Sequence, residues 1–281
     1  MTKGILLFAN NNEKVDYVKQ AAFVAKRCKT HLDLPVSVVT DSLTYAESFE
    51  VFDNVIKLNE ENLKSFNIKT YFDGSLSQYR LPWRNNSRTL AYELSPYDET
   101  IVMDTDIIIC NDKLKEAFSS LQDFQIYKDS FDLADWRDQS EFKHISDASV
   151  EFYWATIFFF RKTKNNDIFF DLAKHIENNW WHYKSLYQVP ALFRNDFVFS
   201  IAIHIMNGFQ KGTFAAPLPG RLYHILDRDV VIKLDNNEII FLIQKENYTG
   251  EYTLIKTKDL TIHAMNKFSL GRAINKEFEN D

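Results

Sequence analysis

The chain has 281 residues, 45% of them hydrophobic and 26% charged, with a net charge of −6. That balance fits a globular protein with a sizeable core, and with only 7 Gly and 6 Pro it argues against a loop-dominated or low-complexity chain. The acidic total excludes a generally basic nucleic-acid binder, though not a local basic groove.

Residues 4–9 (Gly-Ile-Leu-Leu-Phe-Ala) read as a first buried strand. This apolar run is too short for a secretory signal, and no run is long enough to span a bilayer, so a cytoplasmic chain without membrane insertion is expected. The two cysteines, Cys28 and Cys110, lack metal-ligand spacing and are expected as reduced, buried thiols. The sequons at Asn85 and Asn247 carry no weight without secretion. Residues 14–28 space Val15, Val18, Ala21, Ala22 and Ala25 as a helix that covers the first strand. Residues 35–40 form a second strand ending at Asp41, and 51–58 a third. Arg80, Arg84 and Arg88 stand four apart, but Pro82 breaks any helix between the first two. They read as a basic loop leading into a short helix over 87–94. An apolar strand over 101–109 follows, then a helix-like 113–120.

In the second half, 151–161 is a strand rich in aromatics. Residues 165–181 and 195–206 are helices, the latter capped by Asn207-Gly208. Residues 230–234 and 238–243 flank Asp235-Asn-Asn237 as a hairpin, and strands at 254–255 and 260–263 follow. The β-α-β alternation predicts an α/β fold with a mostly parallel central sheet, flanking helices and a C-terminal hairpin. No linker divides the chain, so 1–281 reads as one domain with a nucleotide-binding half (1–112) and an acceptor-facing half (113–281).

Ligands of such sheets bind beyond the carboxyl ends of the strands, where Asn10, Asp41, Asp104 and Asp106 all fall. Residues i and i+2 of a strand share a face, so Asp104 and Asp106 stand side by side. Two adjacent anions in apolar surroundings repel each other and resist desolvation. A divalent cation such as Mg²⁺ or Mn²⁺, sharing its shell with phosphate oxygens, removes both penalties. The competing reading is that the aspartates cap the following turn, and on the motif alone both stand.

In this setting Asp104-Thr-Asp106, with the preceding 87–103 helix-turn-strand, resembles the Asp-x-Asp motif of GT-A glycosyltransferases. Ile262-His263-Ala-Met-Asn-Lys267 is similar to the His-x-x-Gly-x-x-Lys ending of glycosyltransferase family 8 and its relatives. It differs in having Asn266 where a Gly could stand and a shorter spacing to the Lys. Over residues 3–270 the chain is similar to uncharacterised bacterial and phage glycosyltransferase-like proteins, on segments such as Trp154-Ala-Thr156 and Phe193-Arg-Asn-Asp196. The familiar Asn-Ser-Gly and Asp-Gln motifs are not intact.

The resemblance implies a GT-A type fold and sugar transfer from a nucleoside diphosphate sugar, most simply a UDP-sugar, to a glycan, small-molecule or modified-DNA acceptor. It implies Mn²⁺ or Mg²⁺ held by Asp104, Asp106 and His263. Lys267 and Arg88 are expected to clamp the diphosphate. Asn10, Tyr17 and Asp41 are expected to contact the nucleoside, and Asp196 to face the sugar and acceptor. Asp196 and Asp106 carry the catalytic expectation, and the family 8 ending implies retention of configuration. Trp154, Trp180, Trp181 and Tyr183 are candidate acceptor platforms. Each residue also has a plain structural alternative: turn residue, core aromatic, surface charge, or, for Asp196, a first-turn acid of its helix.

Three other readings share these features. A glycosyltransferase acting on hydroxymethylated DNA bases would need a track made from Arg80, Arg84, Arg88, Arg194 and Lys211. A nucleotidyltransferase would need a Gly-rich basic loop where Asn10-Asn-Asn12 stands. A non-catalytic nucleotide-sugar binder would hold the donor and release nothing.

Overall fold

The computed structural model describes residues 1–59, 67–84, 87–135, 137, 142–145, 150–189, 191–246 and 249–279. The sequon residues Asn85 and Asn247 lie outside them. In chain order the first half runs β1 (Lys3–Phe8), α1 (Tyr17–Arg27), β2 (Val36–Thr40), α2 (Leu43–Glu47), β3 (Asn54–Lys57), β4 (Asn67–Asp73), β5 (Ser77–Trp83), α3 (Ala91–Leu94), β6 (Glu99–Met103) and β7 (Ile107–Ile108). It continues with β8 (Phe124–Tyr127), β9 (Ser130–Asp132), β10 (His144–Ile145), β11 (Val150–Glu151), β12 (Trp154–Arg161), α4 (Lys164–Asn178), α5 (Trp180–Leu186) and α6 (Asn195–Met206). The chain closes with β13 (Leu222–Ile225), β14 (Val230–Leu234), β15 (Glu238–Gln244), β16 (Tyr252–Lys258), β17 (Ile262–Ala264) and α7 (Lys267–Phe278).

Among the described residues the central sheet has the order β3-β2-β1-β6-β12-β8. The pairs β3–β2, β2–β1 and β1–β6 are parallel, and β12 runs antiparallel to both its neighbours. Every residue of β2 and β6 is buried, as are all but the last of β12. Side chains alternate faces, so both faces are covered, and continuous apolar runs such as Thr-Ile-Val-Met are what this requires. The fold is the expected α/β type, with a mainly parallel sheet flanked by helices. Strand order reverses between β1 and β6, which makes the carboxyl ends of those strands the switch point where such sheets open a crevice.

The core beside β12 is aromatic. Phe158 is fully buried and packs against Phe199 (4.9 Å between ring centroids), Phe124 and Phe170. Phe158→Ala is expected to cost about 3–5 kcal/mol by loss of transfer energy and cavity formation; a denaturation midpoint unchanged from wild type would contradict this packing.

Several expected elements differ. The 101–109 strand is two strands in two sheets. β6 ends at Met103, and β7 pairs with β17 in a second sheet of order β7-β17-β13-β9. The reason is local: Asp104 N–H donates to Thr156 O and Asp106 O accepts from Ala264 N–H, so the two charged residues form the crossing between sheets. Arg80 lies in a hairpin strand, not a basic loop: β4 and β5 pair antiparallel throughout, with Pro82 tolerated in a two-stranded ribbon. The 165–181 helix breaks at Asn179, which leaves helical geometry (φ −112°, ψ 32°), and α5 starts anew at Trp180. Residues 113–119 and 88–90 are 3₁₀ turns. The 230–234 and 238–243 hairpin forms as expected, and β16 extends it to three strands. Strands β8, β9 and β13 carry no strong periodic signal and were not expected. Both cysteines are free and buried.

Candidate active site

The crossing between sheets builds the site. Because β7 pairs with β17, His263 sits opposite Ile107, one residue from Asp106. One ligand atom each from Asp104, Asp106 and His263 lies within 4.8 Å of the others. Residues far apart in sequence are thus joined by a short β ladder.

Both carboxylates draw cations. Arg88 pairs with Asp104 and donates to Ala155 O at 2.7 Å. Lys267, at the start of α7, pairs with Asp106. Burial pushes the Arg88 pKa down to about 10, which leaves it charged at neutral pH. The His263 ring is 2.9 Å from Asp106 through Nε2, and burial, then the Arg88 charge, pushes its pKa down to about 3. The ring is therefore neutral. Its Nε2 meets the carboxylate, and its Nδ1 is buried with no partner among the described residues. Two carboxylates and one neutral imidazole nitrogen form a donor set that suits Mn²⁺ or Mg²⁺.

Asp196 is buried in the first turn of α6. Its Oδ1 accepts Ala155 N–H at 2.8 Å and its Oδ2 accepts Arg194 Nε at 2.8 Å. One residue, Ala155, is therefore gripped at its carbonyl oxygen by Arg88 and at its nitrogen by Asp196. The Asp196 charge also acts on His263 and Arg88, placing it in the same cleft. The Trp154-Ala-Thr156 segment matters as the backbone that ties these groups together.

The nucleoside candidates sit at the sheet edge. Asn10 follows β1, and its Oδ1 is buried without a hydrogen bond among the described residues. Tyr17 opens α1, and its hydroxyl donates to the Tyr71 hydroxyl of β4 at 3.1 Å. Asp41 is exposed after β2, with Arg84 3.8 Å away. The Asn-rich loop orders the entry to α1: Asn11 Oδ1 accepts Val18 N–H, and Asn12 Oδ1 accepts the Lys14 and Val15 N–H groups.

One expected grouping does not form. Trp154 and Trp180 are buried, Trp154 stacked on His224 and Trp180 packed on Phe193, while Trp181 is 78% exposed. They are not one flat platform. Of the five residues of the DNA track, Arg84, Arg88, Arg194 and Lys211 lie beside Asp41, Asp104, Asp196 and Glu151. A cavity of about 240 Å³ lined by Glu151, Tyr153, Ser200, His204, Phe209 and Lys211 holds none of the cleft residues. The chemistry is assigned to the cleft because the ionisable groups converge there.

Sequence reasoning missed Lys69, whose charge acts on both His263 and Lys267. It also missed Glu177, in the last turn of α4, which accepts from the Thr89 hydroxyl at 2.5 Å, so pinning the turn that carries Arg88. Burial pushes the Glu177 carboxyl up to about 7. A raised carboxyl binds more protons in the folded state than in the unfolded one between roughly pH 4.5 and 7, so stability falls as pH rises through that window. Glu177→Gln is expected to remove a pH-dependent loss on the order of 2 kcal/mol; melting curves from about pH 4.5 to 8 that fall equally steeply in the variant would refute this.

No family model matches the sequence, and no curated protein matches it. Among solved structures, the chain is similar to the galactosyltransferase LgtC in complex with donor and acceptor sugar analogs, with a TM-score of 0.44 and 14% identity over 70% of each chain. It is similar to the apo form of mouse xyloside xylosyltransferase 1, with a TM-score of 0.46 and 10% identity over 78% of this chain and 85% of that one. It is also similar to the glycosyltransferase GlyE of Streptococcus pneumoniae TIGR4, with a TM-score of 0.41 and 11% identity over 78% of this chain and 45% of that one. Identities of this size assign no role to any residue.

Proposed function

We propose that the chain is a GT-A type, metal-dependent glycosyltransferase that moves a sugar from a nucleoside diphosphate sugar, a UDP-sugar first among them, to an acceptor hydroxyl. The observation that supports this most is the approach of Asp104, Asp106 and His263 to within 4.8 Å at the switch point of the sheet. Those three residues would hold Mn²⁺ or Mg²⁺, which when bound draws off the charge that grows on the leaving diphosphate.

The chain's own residues do the remainder. Arg88 and Lys267 keep positive charge beside the aspartate pair, where the diphosphate would lie, Arg88 with a planar fork and Lys267 as a point charge. Asn10 and Asp41, after β1 and β2, and Tyr17, at the start of α1, face the nucleoside: a free carbonyl for the base, a carboxylate for the ribose or base, and a ring to stack. Asp196 holds negative charge near the reacting carbon, where an oxocarbenium-like transition state is cationic. It also fixes the Ala155 backbone on which Arg88 is aimed. The acceptor would approach from the second half. Retention of configuration is the outcome we assign, on the resemblance of the ending to family 8.

The test is to incubate the protein with Mn²⁺ and a panel of nucleotide sugars and to measure released nucleoside diphosphate. Metal-dependent release from at least one donor is expected. Tight donor binding with no release, with or without candidate acceptors, would leave a binding protein instead.

A further inference from the structure

The cleft contains an amine that the mechanism above does not use. Lys69 lies on β4, on the same strand face as Tyr71. Its Nζ is 4.8 Å from the Trp83 ring centroid and 5.5 Å from that of Tyr71. Among the described residues it has no hydrogen bond and no carboxylate oxygen within 4.0 Å. Tyr71, on the same face, meets the Phe268 ring at 6.5 Å between centroids, which sets this part of β4 beside the Lys267 end of α7. A half-buried ammonium without an acceptor is costly, and contact with aromatic faces offsets only part of that cost.

The position is not a chance rotamer on a loose ribbon. The tip of the β4–β5 hairpin is bolted down: Arg272 forks onto Asp73 with two contacts of 2.7 Å, and Ser75 N–H donates to the Tyr252 hydroxyl at 2.9 Å. Gly74 makes this possible, with φ +72° and the Tyr252 hydroxyl only 3.1 Å from where a Cβ would stand. At the base, Tyr17 bonds to Tyr71 and Asn12 donates to Pro82 O at 3.3 Å. A rigid strand therefore presents the ammonium in the cleft before any ligand arrives.

What it receives follows from its neighbouring cations. Arg88, Arg194 and Lys267 already hold protein acceptors, whereas Lys69 holds none among the described residues.

We propose that Lys69 is a phosphate-binding residue of the donor site, taking oxygens of the diphosphate alongside Lys267 and Arg88. The identity of the donor rests on the glycosyl-transfer reading above; the affinity for a diphosphate group does not.

Calorimetric titration with UDP and, separately, with inorganic pyrophosphate, both with Mn²⁺, tests it on wild type, Lys69→Met and Lys69→Arg. Lys69→Met should weaken both ligands by about tenfold or more, and Lys69→Arg should recover most of the loss. Uridine, which has no phosphate, should bind both variants as it binds wild type. The melting temperature of Lys69→Met should equal or exceed that of wild type, because an unpaired ammonium has been removed; a merely structural lysine would lower it. Lys69→Met that binds both phosphates within twofold of wild type overturns the role of Lys69 and leaves the glycosyl-transfer reading intact. Wild type that binds neither overturns both.

Discussion

Asp106→Asn is expected to lower Mn²⁺-dependent release of nucleoside diphosphate by about a thousandfold or more. Asp106 is 2% exposed and meets two partners at once, the His263 ring at 2.9 Å and the Lys267 ammonium. The amide keeps the shape and one acceptor oxygen but loses the charge, and with it the means to hold a dication against the repulsion of Lys267. Alanine would be a poorer probe, since breaking a buried ion pair costs about 3–5 kcal/mol and mixes unfolding with lost chemistry. Circular dichroism should show Asp106→Asn folded. Electron paramagnetic resonance should show Mn²⁺ left free in solution at concentrations that wild type captures. Turnover within tenfold of wild type, at unchanged metal dependence, would remove Asp106 from the chemistry.

The second large effect is expected at Asp196. Its two oxygens are both engaged, one by Ala155 N–H and one by Arg194, so an Asn must turn an NH₂ toward one of two donors. Asp196→Asn should therefore cost about 3 kcal/mol of stability. It should also lower kcat for transfer by about 10- to 100-fold while donor KM moves little, since the charge it supplies matters most when the sugar carbon is cationic. The split between kcat and KM is the informative reading. A lowered melting temperature with unchanged kcat would make Asp196 a first-turn acid of α6 and nothing more.

Part of the site was readable because its residues carry chemistry that apolar strands do not tolerate without cause. Asp104-Thr-Asp106 stood out inside Ile101–Ile109 for that reason, whereas His263 was reached through the resemblance of the 262–267 ending to glycosyltransferase family 8. Lys69 was not readable in this way. It sits in Asn67-Ile-Lys-Thr-Tyr-Phe-Asp, a mixed run of polar and apolar residues, and nothing local distinguishes an ammonium facing solvent from one facing a cleft. Glu177 was hidden for the same reason, as one acid among several on α4. The sequence left the Trp residues open between acceptor platform and core, with room to bury only one ring of the Trp180-Trp181 pair, because a ring's chemistry does not say whether neighbours cover it. Trp154 and Trp180 lie in the core and Trp181 lies out of it, although Trp180 and Trp181 are adjacent in sequence.

What the chain order alone determined was the alternation of strands and helices in the first half, the burial of β1, β2 and β6 on both faces, and the closing hairpin. These follow from local periodicity and turn chemistry, which act over a few residues. Tertiary structure decided that 101–109 divides between two sheets, that His263 reaches Asp106 through β7 and β17, and that the β4–β5 ribbon is fastened to Arg272 and Tyr252. Those outcomes depend on pairings between segments distant in the chain, whose register is set by which buried faces and backbone donors remain unsatisfied once the local elements have formed.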